Sequence, residues 1–526
     1  MNSAYAGTTL LARIAVRTGW PVAAAWLIGL VALFLITGLS MAALYDSPET
    51  LATYGSSLGE AMVMLNGRVA GLDTFGGIMM NEFALIISFA VPIMAIGLTA
   101  RTTRREEESG RSELLLAGRV GRLAPTAAAL VVVATIFAAL GAGLLASLLF
   151  LDADSTGSVF YAASVAVTGW VYAAGTAVLA QVVSHTRTLW VTAMATAGLT
   201  VVTRGIGDVN ENWLSWVSPL GWHGLVRPFG DATVMPLLVA VLAAAALAGT
   251  SLWLAGRRDI GQGMVASRTG PASATRWRSS RAGAAVHQHL GAAIGWTTGV
   301  VALMGVYGGL LDVAVEAITS NPALKAFLAD ADTLVEAIAQ MLIAFAGFLG
   351  GGFALQTLGG LRGEETSGRL ELELTAGRHR WSWLAAHAAV ATVGTAAVVM
   401  AGSTAFALSA SVGLGDSGLA ARILAAGVWQ VPAAVVFAGL SVTLFGVAPR
   451  LQILAWLPFA LAVVVTFLGP TLQLTDAQMR LSPFGAVGTA PVGPVSGGGV
   501  AILCVVTAAL MVTGVVGFRR RDVPRT

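Results

Sequence analysis

The sequence predicts an all-α polytopic membrane protein with about twelve transmembrane helices in two pseudo-symmetric six-helix halves. Three observations predict this fold class: a charge-poor composition, apolar stretches of membrane-spanning length, and an internal repeat. Of the 526 residues, 56% are hydrophobic before the 63 glycines are counted, and only 11% are charged. Soluble domains carry about 25% charged residues. The composition therefore excludes a set of soluble domains.

Twelve apolar stretches are long enough to cross a bilayer, which takes ~20 residues. The first follows Arg13 and Arg17, as the apolar core of a signal peptide follows basic residues. At ~25 residues, however, it exceeds the usual core of 7–15, so we expect a retained span. The predicted spans are 20–44, 76–100, 125–151, 158–183, 189–206, 232–256, 289–311, 337–361, 383–410, 418–446, 451–470 and 498–518.

The arginines predict the topology. Of the 30 basic residues, 24 fall before the first span, after the last, or in the turns that follow every second span. By the positive-inside rule this side is cytoplasmic, and an even number of spans places both termini there. The basic net charge therefore reflects topology, and we expect no nucleic-acid partner.

A nine-residue motif occurs twice, after the second and the eighth span. Glu106–Leu114 and Glu364–Leu372 agree at seven of nine positions, as E-E-x-S-G-R-x-E-L, at a constant offset of 258. The duplication predicts a first half at 1–256, a linker at 257–288 and a second half at 289–526. Because each half has an even number of spans, the halves run parallel, related by a pseudo-two-fold axis along the membrane normal.

Each motif suits the start of a short helix at the membrane surface. Gly110 and Gly368 can separate two helices, and Glu113 and Glu371 three residues later favour a first helical turn. One interpretation is a docking helix for a cytoplasmic partner, with an apolar edge; the other is a solvated turn that ends a span. The duplication favours docking, because it predicts a partner with two equivalent surfaces. The apolar edge would consist of Leu114, Leu116, Leu372 and Leu374.

These motifs, with W-L-S-W-V-S-P-L-G-W from Trp213 to Trp222, resemble the membrane subunits of ABC-2-type exporters. In particular, the chain resembles the fused twelve-span actinobacterial permeases of the polyketide-antibiotic or tetronasin type over its full length. The second half departs from the pattern, since Ser482-Pro483-Phe484-Gly485 continues with Ala486 rather than tryptophan. The halves are therefore not expected to be equivalent at the outer gate.

The resemblance implies coupling segments at 101–124 and 362–381, which dock on two copies of an ABC ATPase subunit. It also implies a re-entrant outer loop at 207–231, with 471–497 in the corresponding place, in a bacterial plasma membrane. The implied ATPase contacts are Glu106, Glu107, Gly110, Arg111, Glu113, Glu364, Glu365, Gly368, Arg369 and Glu371.

The chain itself cannot bind ATP through a phosphate loop. Its one lysine, Lys325, lies in A-L-K-A-F, so the sequence contains no GxxxxGK[ST]. We therefore expect no enzymatic activity and no cofactor in this chain, with ATP and magnesium held by the partner subunit. The six histidines form no HExxH and the one cysteine is Cys504, so we expect no metal site.

Polar residues within the spans are candidates for the transport pathway, since an ionisable group in a membrane is costly. Glu82 and its counterpart Gln340 face either a central cavity or solvent at a helix end. Gln181, Gln356 and Gln430 either line the pathway or form interhelical hydrogen bonds. Trp213, Trp216 and Trp222 belong either to an outer gate, built as a pair of short helices, or to an interfacial aromatic belt.

These features predict an exporter subunit, in contact with membrane lipid, that moves hydrophobic or amphiphilic small molecules out of the cell by alternating access, as in drug efflux. An ion-coupled twelve-span transporter is the main alternative, and L-A-G-R-V-G-R at 116–122 partly matches a loop motif of the major facilitators. That motif's aspartate is replaced by Gly118, and the spans contain no clearly placed mid-membrane carboxylate. A polytopic membrane glycosyltransferase is a further alternative, but Asp152 and Asp154 stand in a very short loop.

Overall fold

The computed structural model describes residues 4–45, 47–56, 66–111, 120–259, 261–265, 275–312, 331–375, 379–468 and 474–522, with 63, 118, 273 and 315. Within these residues, twelve helical segments are long and apolar enough to cross a membrane. Their helices are α1 (Thr8–Leu44), α2 (Phe75–Thr102), α3 (Ala124–Phe150), α4 (Ser155–Val182), α5 (Thr186–Val209), α6 (Met235–Ala255), α7 (Arg281–Gly309), α8 (Ala331–Gly359), α9 (Arg380–Leu414), α10 (Ser417–Val447), α11 (Trp456–Leu468) and α12 (Gly497–Arg520).

Shorter helices connect the spanning helices. A 3-10 turn, Pro449–Ala455, leads directly into α11, and the two together have spanning length. The other short helices are Pro48–Ser56, Arg104–Glu108, Trp213–Val217 (3-10), Pro219–Leu225, Arg276–Ser279, Leu361–Thr366, Arg369–Thr375, Asp476–Met479 and Pro483–Ala486. The prediction of an all-helical protein with twelve spans is confirmed.

Two boundaries differ from the predicted spans. Helix α1 begins at Thr8, so the residues before the first predicted span continue it as one 37-residue helix. Helix α7 begins at Arg281, inside the segment expected to be a linker. The reason is a cap: the hydroxyl of Ser280 accepts a hydrogen bond from the N–H of Gly283, and this fixes the helix start.

The chain forms two compact units, Met1–Gly270 and Pro271–Thr526, each with its own core. In the first unit α2 and α4 are the most enclosed helices, and in the second unit α8 and α10 are. These are the second and fourth spanning helices of each unit. The outer helices instead expose large apolar side chains such as Ile28, Leu242 and Val505, as expected where a surface faces lipid.

Three consecutive glycines let α8 contact three different helices of its unit. A Cβ at Gly350 would overlap Val399 of α9, and one at Gly351 would lie 2.9 Å from Phe459 of α11. A Cβ at Gly352 would lie 3.3 Å from Trp296 of α7. Since successive residues of a helix point in different directions, the triplet opens three faces at one level.

Helices α10 and α12 approach each other through a pair of glycines. A Cβ at Gly446 would overlap the backbone carbonyl of Gly514, and a Cβ at Gly514 would lie 2.5 Å from the carbonyl oxygen of Val442. Backbone atoms cannot turn aside as a side chain can, so any added methyl group must push the two helices apart.

Gly446→Ala is therefore expected to lower the melting temperature of the purified protein, at a cost of about 1–3 kcal/mol for overpacking. Gly299→Ala in α7 is the matched control, because nothing lies within 4 Å of a Cβ there. Alanine is the better helix former, so the control should melt at the same temperature or higher. Equal melting temperatures for the two variants would contradict the close contact.

Candidate functional site

The part of the repeated motif that the structure describes in both copies, up to the motif arginine, folds in the same way twice. The first motif helix, Arg104–Glu108, follows α2, and the second motif helix, Leu361–Thr366, follows α8. Each is succeeded by a glycine in the left-handed region, with φ of 73° at Gly110 and 74° at Gly368. A side chain would be strained there, which explains the glycine in both copies. We call the helix ends that carry these motifs the motif end of each unit.

The two copies differ in how far the structure describes them. In the second unit Gly368 leads into the helix Arg369–Thr375, with Glu371 in its first turn as expected. Leu370 of this helix is buried, whereas Leu372 is 72% exposed. In the first unit Glu113 lies outside the described residues, as do Leu114 and Leu116.

The first glutamate of each motif forms an exposed ion pair with the motif arginine five residues later. Glu106 lies 3.4 Å from Arg111, and Glu364 accepts two hydrogen bonds from Arg369, at 2.7 and 2.9 Å. These hydrogen bonds raise the pKa of Arg369. Both arginines are more than 60% exposed. Each pair therefore presents one acid and one base at the surface of its unit.

The second glutamate of each motif points into its own unit instead. Glu107 forms ion pairs with Arg258, which follows α6, and with Arg104, at 2.7 Å. Glu365 forms a bidentate ion pair with Arg521, which follows α12, at 2.8 and 2.9 Å. The two glutamates are only 15% and 8% exposed. Their carboxylates are therefore engaged within the chain rather than presented to a partner.

A third arginine completes the same arrangement in both units. Arg122, just before α3, donates to the backbone carbonyl of Arg258 at 2.6 Å. Arg380, the first residue of α9, donates to the backbone carbonyl of Arg521 at 2.7 Å. We call each arrangement an end clamp; the first consists of Glu107, Arg258 and Arg122, and the second of Glu365, Arg521 and Arg380.

The first end clamp has additional contacts. Arg104 is fully buried and donates to the carbonyl of Ala180 in α4. Gln181 accepts a hydrogen bond from Arg258 at 2.6 Å. Glu108 accepts from the N–H and hydroxyl of Thr186, the first residue of α5, at 2.7 and 2.6 Å. The motif end of the first unit is thus bonded to α4 and α5 as well.

The second unit attaches its motif helix differently. Arg362 occupies the position of Arg104 but donates to the carbonyl of Arg450, after α10, at 3.2 Å. Thr366 occupies the position of Glu108 and bonds back to the carbonyl of Arg362 in its own helix. The two units thus share the end clamp and differ around it.

Two predicted pathway residues lie near the opposite end of the second span of each unit. Glu82 accepts a hydrogen bond from Tyr54, which comes from the connection between α1 and α2. Asn81 donates to the same hydroxyl at 2.7 Å. The counterpart Gln340 is half-buried on α8. Glu82 is therefore part of a local polar network, and its role in transport stays a prediction.

The three glutamines occupy dissimilar sites. Gln181 belongs to the network at the first end clamp, so we leave it out of the proposed pathway. Gln356 is exposed on α8 and accepts a hydrogen bond from the indole of Trp296 at 2.8 Å. Gln430 is buried in α10, and its side-chain oxygen has no partner within the described residues. Gln430 is thus the glutamine with hydrogen-bonding capacity to spare.

The tryptophan-rich loop at 207–231 contains a pair of short helices, as predicted, at Trp213–Val217 and Pro219–Leu225. Trp213 is 70% exposed and Trp216 is 44% exposed. Trp222 is half-buried against α4 and α6, and its indole donates to the carbonyl of Trp216 at 2.7 Å. The exposed indoles suit a membrane interface; the gate stays a prediction.

A buried ion pair holds this loop to α5. Arg204 and Asp208 lie 4.0 Å apart, and Asp208 accepts a hydrogen bond from Ser215 of the loop at 2.5 Å. The neighbouring His223 is also buried and is hydrogen-bonded through Nδ1 to Ser164 of α4 at 2.7 Å. Burial, and then the charge of Arg204, lowers the pKa of His223 to about 4.

Sequence reasoning missed the arginines of the end clamps and counted them only as a topology signal. One part of the pattern was readable: Arg122 and Arg380 stand at the same offset, 258, as the two motifs. Arg258 and Arg521 differ by 263 but stand just after the last spanning helix of each unit.

Sequence similarity identifies the class of membrane protein that these two six-span units form. The family model described as "Multidrug efflux system permease Rv1217c, C-terminal domain" matches residues 12–254 and 279–519. The chain therefore belongs to this family of multidrug efflux permeases and is a multi-pass membrane protein. Each matched range covers the six spanning helices of one unit except for a few terminal residues.

A curated relative extends this result. The chain is 30% identical over 486 residues to the "Multidrug efflux system permease protein Rv1217c" of Mycobacterium tuberculosis (strain ATCC 25618 / H37Rv). The alignment covers 92% of this chain and 86% of the relative. The similarity therefore spans both units and both motifs.

The lowered pKa of His223 predicts a pH-dependent stability. An unfolded histidine titrates near 6.5, so between pH 6.5 and 4 the unfolded chain takes up a proton that the folded chain refuses. The free energy of unfolding should therefore fall as the pH drops through this window, by about 3 kcal/mol in total. His223→Gln should flatten this dependence, measured by thermal melting at several pH values.

His287→Gln provides the control, because His287 is exposed on α7. Its pH dependence should match that of the unsubstituted protein. If the melting temperature of His223→Gln depends on pH as that of the unsubstituted protein does, His223 is not kept neutral by burial.

Proposed function

We propose that this chain is the permease subunit of an ATP-driven ABC exporter in a bacterial plasma membrane. In this proposal the motif ends and both termini face the cytoplasm, and two copies of an ABC ATPase subunit bind the motif helices. The transported molecules are hydrophobic or amphiphilic small molecules, as in drug efflux. Family membership and the relative's description as the permease of a multidrug efflux system support the export role.

The observation that carries the proposal is the pair of equivalent exposed surfaces on the motif helices. Glu106 with Arg111, and Glu364 with Arg369, present an acid and a base at the same point of each unit. Solvent-exposed ion pairs contribute little to the stability of a chain, about 0–1 kcal/mol. Their duplication is better explained by recognition of a partner that is itself present twice.

The docking role is thereby divided among the motif residues. We assign ATPase contact to the exposed arginines and the half-buried glutamates of the two surface pairs. Gly110 and Gly368 shape the turn that presents them, and Glu371 lies in the helix that follows. Glu107 and Glu365 are held in the end clamps, so their part is internal; Glu113 remains a predicted contact from its sequence position.

The energy source must lie outside this chain, because its single lysine excludes a phosphate loop. ATP and magnesium are accordingly assigned to the partner, and ATP-driven closure of the ATPases would push on the motif helices. The permease would then switch between inward-open and outward-open states. Glu82, Gln340, Gln356 and Gln430 are the proposed pathway residues, and Trp213, Trp216 and Trp222 form the proposed outer gate.

Reversing the charge of the first glutamate of each motif tests the docking. The full chain is co-expressed with each candidate ABC ATPase subunit of its own genome, and the complex is purified through a tag on the permease. Glu106→Lys combined with Glu364→Lys should abolish co-purification and dye efflux, because each surface then presents two bases. Each single substitution should weaken the complex, since one surface remains.

Asp416→Lys is the control for charge reversal. Asp416 is exposed and paired with Arg422 at 2.9 Å, but it lies at the end of α9 and α10 opposite the motif. This variant should retain the ATPase. If the double variant also retains the ATPase and full ATP-dependent efflux, the docking assignment is wrong. If the chain transports dye in vesicles that hold only a proton gradient, the ATP-driven class is wrong.

A further inference from the structure

Each end clamp connects the motif helix to two spanning helices of its unit, which docking of a partner does not require. Each joins three segments of its unit at one point: the motif helix, the start of the third spanning helix and the end of the sixth. In the first unit these are the first motif helix, α3 and α6, and in the second unit the second motif helix, α9 and α12. All three segments lie at the motif end.

The ion pairs Glu107–Arg258 and Glu365–Arg521 are largely shielded from solvent. Arg258 is 7% exposed and Arg521 16% exposed, so water screens the pairs with Glu107 and Glu365 only weakly. Arg521 also lies over the rings of Phe445 and Phe518, at 5.5 Å from each centroid. Opening either pair would leave a charge buried without its partner, which is strongly unfavourable.

The two end clamps have the same contacts, although their arginines stand at different positions relative to the last spanning helix. Arg258 stands three residues beyond the end of α6, whereas Arg521 directly follows the end of α12. The two arginines nevertheless make the same two contacts, a side-chain ion pair with a motif glutamate and a backbone hydrogen bond from an arginine before or at the start of the third helix. Two different loops therefore reach one arrangement.

The backbone alone does not hold the motif helices rigidly to the helices before them. Thr103, between α2 and the first motif helix, has φ of −118° and ψ of −93°, outside the helical region. Gly360, between α8 and the second motif helix, keeps helical backbone angles, but glycine is a poor helix former and weakens the junction. A force on a motif helix would bend these junctions unless side chains tie the helix to other spans.

We infer that each end clamp fixes its motif helix, third spanning helix and sixth spanning helix into one rigid body, so that a displacement of the motif helix moves the spans. Arg258 and Arg521 are then positioning residues for energy coupling. This inference deepens the proposed function and rests on it for the source of the force. The rigidity itself is a property of the chain alone.

The second end clamp offers the cleaner test, because within the described residues Glu365 and Arg521 lack the additional partners of Glu107 and Arg258. In the purified chain without ATPase, Glu365→Gln should speed amide hydrogen exchange in residues 361–366 by about tenfold or more, since it leaves Arg521 buried without a carboxylate. Glu365→Arg combined with Arg521→Glu should restore slow exchange. The backbone contact from Arg380 survives this swap, because it uses the carbonyl of residue 521.

The control variant is Asp416→Asn, which removes an exposed ion pair at the opposite end. It should leave exchange in 361–366 unchanged. Unaltered exchange in Glu365→Gln as well would overturn the rigid-body inference, whatever the energy source of transport.

The complex with the ATPase tests the coupling. In proteoliposomes, Glu365→Gln should keep the bound ATPase and its ATP hydrolysis but export less Hoechst 33342 per ATP, by roughly 5- to 150-fold, the usual range of coupling between sites. The charge swap should recover the ratio. A normal ratio in Glu365→Gln with the ATPase still bound overturns the inference and leaves the exporter proposal intact. Failure of the unsubstituted chain to bind an ATPase overturns the exporter proposal alone.

Replacing the Glu365–Arg521 ion pair by a covalent link tests whether coupling needs the rigid connection or the charges themselves. Glu365→Cys and Arg521→Cys are introduced after the one native cysteine, Cys504, is changed to serine. A short, reducible bis-methanethiosulfonate linker then joins the two positions, with linkage confirmed by mass spectrometry. Linking should restore the dye exported per ATP that the cysteine pair has lost, and reduction should abolish it again. A fully linked protein that stays uncoupled would show that the ends must separate during transport.

Discussion

A carboxylate that leaves water must be neutralised, and this requirement organises the motif end of both units. Glu107 and Glu365 are held where solvent hardly reaches, so each needs a cation at hydrogen-bonding distance. The cation is an arginine near the C-terminal end of each unit's sequence. Arg258 lies 151 residues after Glu107, and Arg521 lies 156 residues after Glu365. Positions of the motif helix, the last spanning helix and the start of the third are thus set by one electrostatic condition.

The same condition gives different environments to the two adjacent glutamates of each motif. Successive residues of a helix point about 100° apart, so when the second glutamate of each motif faces inward, the first faces outward. The outward glutamates pair with the motif arginines at the surface. One short sequence therefore supplies both an internal anchor and an external surface, and it does so in two places.

The spans were predictable from the sequence because lipid imposes a simple rule. A backbone in a bilayer must satisfy its own hydrogen bonds, so each crossing is a helix, and its side chains must be apolar over its length. Boundaries were less predictable, because a cap such as Ser280 extends α7 beyond its apolar stretch. The pair of short helices around Pro219 followed from the proline and the interfacial tryptophans.

The candidate site was predictable only in part. The repeat located the motif helices and their glycines, since a residue that requires φ above zero leaves a trace in the sequence. The choice between Glu106 and Glu107 as the exposed acid left no such trace, because it depends on an arginine brought close by the fold. The sequence also did not decide whether Gln181 lines the pathway or forms a hydrogen bond within the protein, because its partner, Arg258, is a neighbour only in the folded unit.

Each end clamp is closed entirely by residues of its own unit. An ancestral chain of half this length would therefore have carried a complete clamp before the duplication, and two identical subunits would have presented two identical motif helices. Fusion into one polypeptide then freed the copies to diverge around a shared centre, as Arg104 and Arg362 have done. The clamp glutamate and arginine are 151 residues apart in the first unit and 156 in the second, so the loops between them differ in length while the contact is the same.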